Sequence, residues 1–230
     1  METYLAMTAA ELSGKAPQEG KIAYMACHFS AGGVGLSNVP RALPEGSILL
    51  LDDSMPVQGH DPEAVTRQLN ELVRNFSVRA VLLDFQRQKT EETSTMVAAI
   101  LQSCACTAAV TAAYAKAGDC PVFLPSPPAN KPLADYLKPW SERDIFLEIA
   151  PESMQITVTE EGCSAVSAPS DQNLPLASSR LHCHYNVEVF PEKAVFTLSR
   201  TREDLAALAR QAYEIGVLGA VGLYQELNRL

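Results

Sequence analysis

The sequence predicts an α/β protein, a small (β/α)8 barrel of TIM type with some helices missing and a β-rich insertion. Three observations predict it. Eight short runs of strand character recur along the 230 residues. Several are followed by stretches that carry helix-capping residues and a 3.6-residue apolar period. The run ILLLD at 48–52 is almost continuously apolar, as in a parallel strand buried on both faces. One segment favours the alternative, an α+β fold with a mixed sheet. Within residues 151–193, MQITVTEEG and LHCHYNVEVF alternate cleanly and read as antiparallel strands.

Taken in order, residues 1–20 read as an N-terminal extension and 21–230 as one barrel-like domain, with the β-rich insertion at about 151–193. Ile22–Phe29 is the first strand and Ile48–Asp52 the second. A helix should follow, because Asp61 suits its N-cap, Pro62 its first position and Glu63 its first turn. Val65, Leu69, Leu72, Val73 and Phe76 then share one face. Ala80–Phe85 is the third strand, and Thr90 caps a helix whose apolar face includes Met96, Val97, Ile100 and Leu101. Thr107–Ala115 and Val122–Leu124 are the next two strands, the latter stopped by Pro125, Pro127 and Pro128. A short helical stretch covers Leu133–Trp140, and Ile145–Ala150 is the sixth strand. Ala194–Leu198 is the expected seventh. Thr201 and Asp204 then approximate a capping box, Leu205, Leu208, Ala209, Ala212 and Tyr213 form a helix face, and Gly216 can end it. Gly219–Tyr224 is the eighth strand. The stretches 30–46 and 116–121 are where connecting helices are expected to be missing.

The chain is 47% hydrophobic and 20% charged, which is globular composition rather than that of a disordered or collagen-like chain. Its net charge of −9 argues against holding a phosphate backbone, so no nucleic-acid partner is expected. No run approaches the roughly 18 apolar residues that cross a bilayer, and no signal peptide is recognisable, so a cytoplasmic location without a membrane partner is the expectation. The cysteines Cys27, Cys104, Cys106, Cys120, Cys163 and Cys183 contain no CxxC pair and read as buried reduced thiols.

In a barrel, functional side chains sit at the carboxyl ends of the strands. Those ends supply His28, Asp52, Asp53, Asp84, Gln86, Tyr114, Ser126, Glu148, Arg200, Tyr224, Gln225 and Glu226. Carboxylates and amides hydrogen-bond hydroxyl groups, and aromatic faces stack on sugar rings. The set therefore suits a polyhydroxylated neutral ligand. No loop matches GxxxxGK[ST], and no cofactor is implied. Gly32, Gly33 and Gly35 either admit a ligand close to the backbone or form a flexible turn. A metal site would need His182 and His184, on one face of a strand, to meet the Asp52, Asp53, His60 and Asp61 group. Nothing in the sequence joins them, so no metal ligand is assigned.

The run VRAVLLDFQR (Val78–Arg87) resembles the signature strand of family 18 glycoside hydrolases, the chitinase-like barrels, whose pattern is DxxDxDxE. On this resemblance the last Asp falls on Asp84 and the catalytic Glu on Gln86, while the two earlier acids fall on Arg79 and Leu82. GAVGLYQEL (Gly219–Leu227) is similar to the family's last strand, GGVMxWEL, with Tyr224 in place of the sugar-stacking Trp and Gln225 in place of the Glu. SAGG (Ser30–Gly33) resembles the family's SxGG, with an extra strand between it and the DxE-like strand. The resemblance implies a carbohydrate or cell-wall-derived glycan as ligand. It assigns the catalytic role to Asp84 and substrate contacts to Gln86, Tyr224 and Gln225, while the strand ends themselves offer Glu148 as a replacement acid and Asp52, Asp53 and Tyr114 as further substrate contacts. Because an amide has no titratable proton to transfer, the resemblance also implies weak activity or none. A non-enzymatic binding or scaffolding protein and a metal-dependent hydrolase are the alternatives.

Overall fold

The computed structural model describes residues 3–14, 21–115, 119–170 and 173–227. Eight parallel strands close into a barrel. They are β1 (Thr3–Met7), β2 (Lys21–Phe29), β4 (Ile48–Asp52), β5 (Ala80–Asp84), β6 (Thr107–Thr111), β7 (Val122–Leu124), β8 (Ile145–Glu148) and β14 (Gly219–Leu223). β1 pairs with β2 on one side and β14 on the other, which completes the ring. The two-residue β3 (Leu36–Ser37) adds an antiparallel edge to β2. Helices α1 (Ala9–Ser13), α2 (Pro62–Phe76), α3 (Glu91–Ser103), α4 (Leu133–Leu137) and α5 (Arg202–Glu214) fill the connections, and α6 (Tyr224–Leu227) follows β14 directly. No described residue of 30–46 or 119–121 is helical, as expected; residues 116–118 lie outside the described residues.

The helices start where capping chemistry places them. The Asp61 side chain accepts from the Glu63 amide with Pro62 next in line, and Thr90 and Thr201 form capping boxes with Thr93 and Asp204. α2 buries Val65, Leu69, Leu72 and Val73, and α5 buries Leu205, Leu208, Ala209 and Ala212. Tyr213, expected on the α5 face, is exposed. Strand alternation divides the core into layers. Tyr4, Ala6, Ala23, Ile48, Leu50, Ala80, Leu82, Ala109, Phe123, Phe146 and Val221 fill the barrel interior. The alternate positions pack outward, with Leu49, Leu51, Val81 and Leu83 against α2 and α3 and Leu147 and Ala220 in the layer beneath α5. Gly219 belongs to the inward phase. A Cβ there would lie 3.0 Å from the Tyr4 ring and 3.2 Å from Phe146, so glycine makes room for two aromatic rings.

Two expectations are corrected. Ala194–Leu198 is not a barrel strand. It lies in β13 (Lys193–Ser199), part of a separate antiparallel sheet ordered β10 (Gly162–Ser167), β9 (Ser153–Thr159), β13, β12 (Cys183–Phe190), β11 (Leu176–Ser178). The missing barrel strand is β1, inside the stretch read as an extension. Its Tyr4, Leu5, Ala6 and Met7 are all buried, but four apolar residues beside a capping box are a faint strand signal. Residues 1–2 and 15–20 of that stretch lie outside the described residues. The second sheet therefore spans 153–199, somewhat longer than the insertion expected at 151–193, and it sits between β8 and α5. Arg200 ties it down. This buried guanidinium donates to the carbonyls of Pro127, Pro128 and His182. The cysteine expectation also changes: Cys27 and Cys183 are buried, Cys104, Cys106 and Cys120 are half-buried, and Cys163 is exposed. No helix among the described residues is long and apolar enough to cross a membrane.

Candidate active site

Alternation sets which strand-end residues face the barrel axis. Asp52 is in phase with Ile48 and Leu50, Asp84 with Ala80 and Leu82, and Glu148 with Phe146, all interior residues. Three half-buried carboxylates thus point inward at the carboxyl end of the barrel. Asp52 and Asp84 are register partners on adjacent strands, and His28 is the register partner of Asp52 on its other side. Glu148 reaches the same mouth from β8, three strands round from β5.

The acids perturb one another. Burial pushes Asp84 up from the ordinary carboxylate range, a hydrogen bond from Gln86 opposes this, and the charges of Asp52 and Asp53 push it up further. Burial likewise raises Glu148. The Ser126 backbone N–H opposes the rise, and Asp84, Glu152 and Glu226 reinforce it. The charge on Asp84 is thus among those that disfavour ionised Glu148. Burial also raises Glu226, whose buried Oε2 has no hydrogen-bond partner among the described residues. Glu226 is in α6, which begins at the very end of β14. Gly222 permits that fold-back: a Cβ there would lie 2.6 Å from the Leu227 side chain and 2.8 Å from the Ile149 carbonyl. Tyr136 completes the neighbourhood. Its hydroxyl donates to the Pro125 carbonyl at 3.0 Å, and burial raises its pKa, with the charges of Glu148 and Glu152 adding to the rise.

Gln86 is exposed and donates through Nε2 to Asp84 Oδ1 at 2.9 Å. The amide thus lies directly beside the carboxylate with which the family resemblance pairs it. The other expected contacts fall elsewhere. Asp53 is buried and accepts from the Gln86 and Arg87 amides at 2.9 and 3.0 Å, so it braces the loop after β5 instead of facing the barrel. Tyr114 is buried in the layer between strands and helices. Its hydroxyl bonds Thr93 Oγ1 at 2.9 Å, and its ring meets Phe85 edge-on. β6 ends at Thr111, and the turn that follows re-aims the tyrosine. Tyr224 opens α6 in the outward phase and packs on the outer core layer, while Gln225 is exposed and donates to Glu11 Oε1 at 2.9 Å. Glu226 is the acid that the choice of site residues passed over. It was visible as one of the strand-end residues, but the turn that buries it depends on Gly222.

The two groups proposed for a metal do not converge. His182 Nε2 pairs with Gln211 Oε1 at 2.9 Å and His184 Nδ1 with Asp204 Oδ2 at 2.8 Å, both on α5. His60 is held by the Val57 carbonyl through Nδ1. Among the described residues, no group of three or more His, Cys, Asp or Glu side chains is arranged to hold a metal ion.

The chain is thus an eight-stranded parallel barrel carrying an antiparallel sheet between its last two strands, with inward acids at the carboxyl end. Solved structures share the fold. A family 18 chitinase from Cycas revoluta, solved in complex with allosamidin, aligns with a TM-score of 0.57 over 100% of this chain and 96% of its own, at 10% identity. The spore cortex-lytic enzyme SleL of Bacillus cereus aligns with a TM-score of 0.53 over 96% of this chain and 70% of its own, at 9% identity. A chitinase from Chromobacterium violaceum gives 0.51 over 96% and 93%, at 11% identity. The chain thus has a family 18-like barrel fold. No family model matches the sequence, and no curated protein does so either.

Proposed function

We propose that this protein binds a glycan at the carboxyl end of its barrel, with Asp84 and Glu148 as the central contacts and Asp52 and Gln86 beside them. The observation that carries the reading is the Asp84–Gln86 hydrogen bond at the same carboxyl end of the barrel as the inward Glu148. It sets a carboxylate and an amide, both suited to sugar hydroxyls, at the position where the resembling family keeps its catalytic acid. The solved complexes of the Cycas revoluta chitinase with allosamidin and with (GlcNAc)3 and (GlcNAc)4 favour an N-acetylglucosamine-containing ligand.

Acid-catalysed glycoside cleavage needs a proton transferred to the leaving oxygen, and the Gln86 amide has no titratable proton to transfer. Glu148 is the substitute. Burial and its acidic neighbours favour its protonated form, and a protonated carboxyl can donate where an amide cannot. Asp84, whose Oδ1 already accepts from Gln86, is the neighbouring acceptor. Turnover is accordingly weak, and the site works chiefly in binding. The test is hydrolysis of chromogenic chitobiosides by the wild type, Gln86→Glu and Glu148→Gln. Restoring the acid should raise the rate by about 10²-fold or more, within the range general acids contribute, and Glu148→Gln should remove the residual wild-type rate. Vigorous wild-type turnover untouched by either change would reject the assignment.

A further inference from the structure

We propose that Cys104 and Cys106 form a redox-active dithiol, oxidised to an intramolecular disulfide by small-molecule disulfides of the glutathione type. The pair occupies the three-residue connection between α3 and β6, at the amino-terminal end of the barrel and so at the opposite end from Asp84 and Glu148. The two sulfurs are 3.8 Å apart and both residues are half-buried. A disulfide bond is about 2.05 Å long, so side-chain rotation and a small loop adjustment must bring the sulfurs closer by roughly 1.8 Å.

The connection is held in place. Asn70 of α2 donates through Nδ2 to the Ser103 carbonyl at 2.8 Å and accepts the Ala105 amide on Oδ1 at 2.7 Å. The Cys104 amide meanwhile closes the last turn of α3 onto the Ile100 carbonyl at 2.8 Å. These bonds anchor the connection on both sides of Cys104 and keep the two thiols together, so only a small local adjustment separates them from bonding distance. The other cysteines differ. Burial pushes Cys27 up to about 12 and Cys183 up to about 11, which leaves both as inert thiols. At Cys104 the hydrogen bond with Cys106 stabilises the thiolate and holds its pKa down, and Cys106 is raised in turn.

The exchange has two steps. The Cys104 thiolate attacks one sulfur of glutathione disulfide, forming a mixed disulfide and releasing one glutathione thiolate. Cys106 then loses its proton to solvent and attacks the Cys104 sulfur, closing the internal disulfide and releasing the second glutathione. Two protein thiols are oxidised and one glutathione disulfide is reduced to two glutathiones. The exposed Cys163, with no thiol partner among the described residues, serves as an internal control.

The test begins with the reduced full-length wild type, exposed to graded ratios of glutathione disulfide to glutathione at pH 7. Alkylation of the remaining thiols and peptide mass spectrometry follow. The expected product is a Cys104–Cys106 disulfide lacking two hydrogens, formed while Cys27 and Cys183 stay reduced. Cys106→Ser should accumulate the glutathione adduct on Cys104 at least ~5-fold above wild type, because the resolving thiol is gone. A wild type that keeps a stable glutathione adduct on Cys104 would overturn the proposal. So would one whose Cys104 and Cys106 remain reduced after Cys163 has reacted. Neither result bears on glycan binding at the other end of the barrel.

Discussion

At the scale of single residues, the carboxylates at the barrel mouth define both a chemistry and a liability. Glu148 and Asp84 have folded-state pKa values raised by burial and by acidic neighbours. A raised carboxylate binds its proton more tightly in the folded chain than in the unfolded one. Its favourable contribution is therefore complete below the unfolded value and disappears as pH rises through the folded value. Stability should fall as pH rises above about 4, the ordinary carboxylate value, and Glu148→Gln should flatten that slope. At pH 7 the variant should melt about 2–4 °C higher, the shift that about 1 kcal/mol produces in a chain of this size. Thermal melts of both proteins at pH 4.5 and 7 check this, and an unchanged slope would contradict it. Which acids face inward was legible in the sequence wherever the strand ended where the pattern said. Asp84 and Glu148 are the last residues of their strands and keep the interior phase. Asp53, one residue past the end of β4, falls in the opposite phase and braces a loop. Tyr114 and Tyr224 lie beyond strands that stop earlier than their apolar runs do, and a turn at each place redirects the ring. A one-residue difference in strand end thus decides whether a side chain reaches the site.

At the scale of elements, capping chemistry was the most readable signal, since Asp61, Thr90 and Thr201 each start a helix at the position their spacing indicates. β1 and β13 show where apolar content misleads. AVFTL has strand content but is only partly buried and pairs antiparallel with β9 and β12, whereas TYLAM is short and almost fully buried. Composition alone does not reveal that difference, because burial is set by which strands lie alongside. α6 was hidden for another reason: it exists because Gly222 lets Leu227 and the Ile149 backbone approach. Gly222→Ala should displace α6 and cost about 1–3 kcal/mol in chemical denaturation, as overpacking does. A variant as stable as wild type would show that the fold-back carries no constraint. Asp53→Ala, which leaves the Gln86 and Arg87 amides without their acceptor, should cost about 1–3 kcal/mol by the same measurement.

At the scale of the whole molecule, closure of the barrel depends on β1, which joins β14 to β2. Deleting residues 1–8 should therefore abolish the cooperative thermal transition, and survival of a sharp transition would show that the ring closes without it. The barrel architecture was legible because most of its strands announce themselves by apolar runs and several of its helices by caps. The second sheet was legible as antiparallel strands, but its reach to Ser199 was not. The excess acidity, a net charge of −9, concentrates part of its effect at the mouth, where Asp52, Asp84, Glu148 and Glu226 come from four elements. The most direct measurement is calorimetric titration of the full chain with chitotetraose. The wild type should bind saturably, and Asp84→Ala should weaken binding about tenfold or more, the scale of a hydrogen bond to a charged group. Arg180→Ala, in the turn between β11 and β12, should leave the affinity unchanged. Absence of saturable binding, or an affinity indifferent to Asp84→Ala, would contradict a glycan site at the barrel mouth.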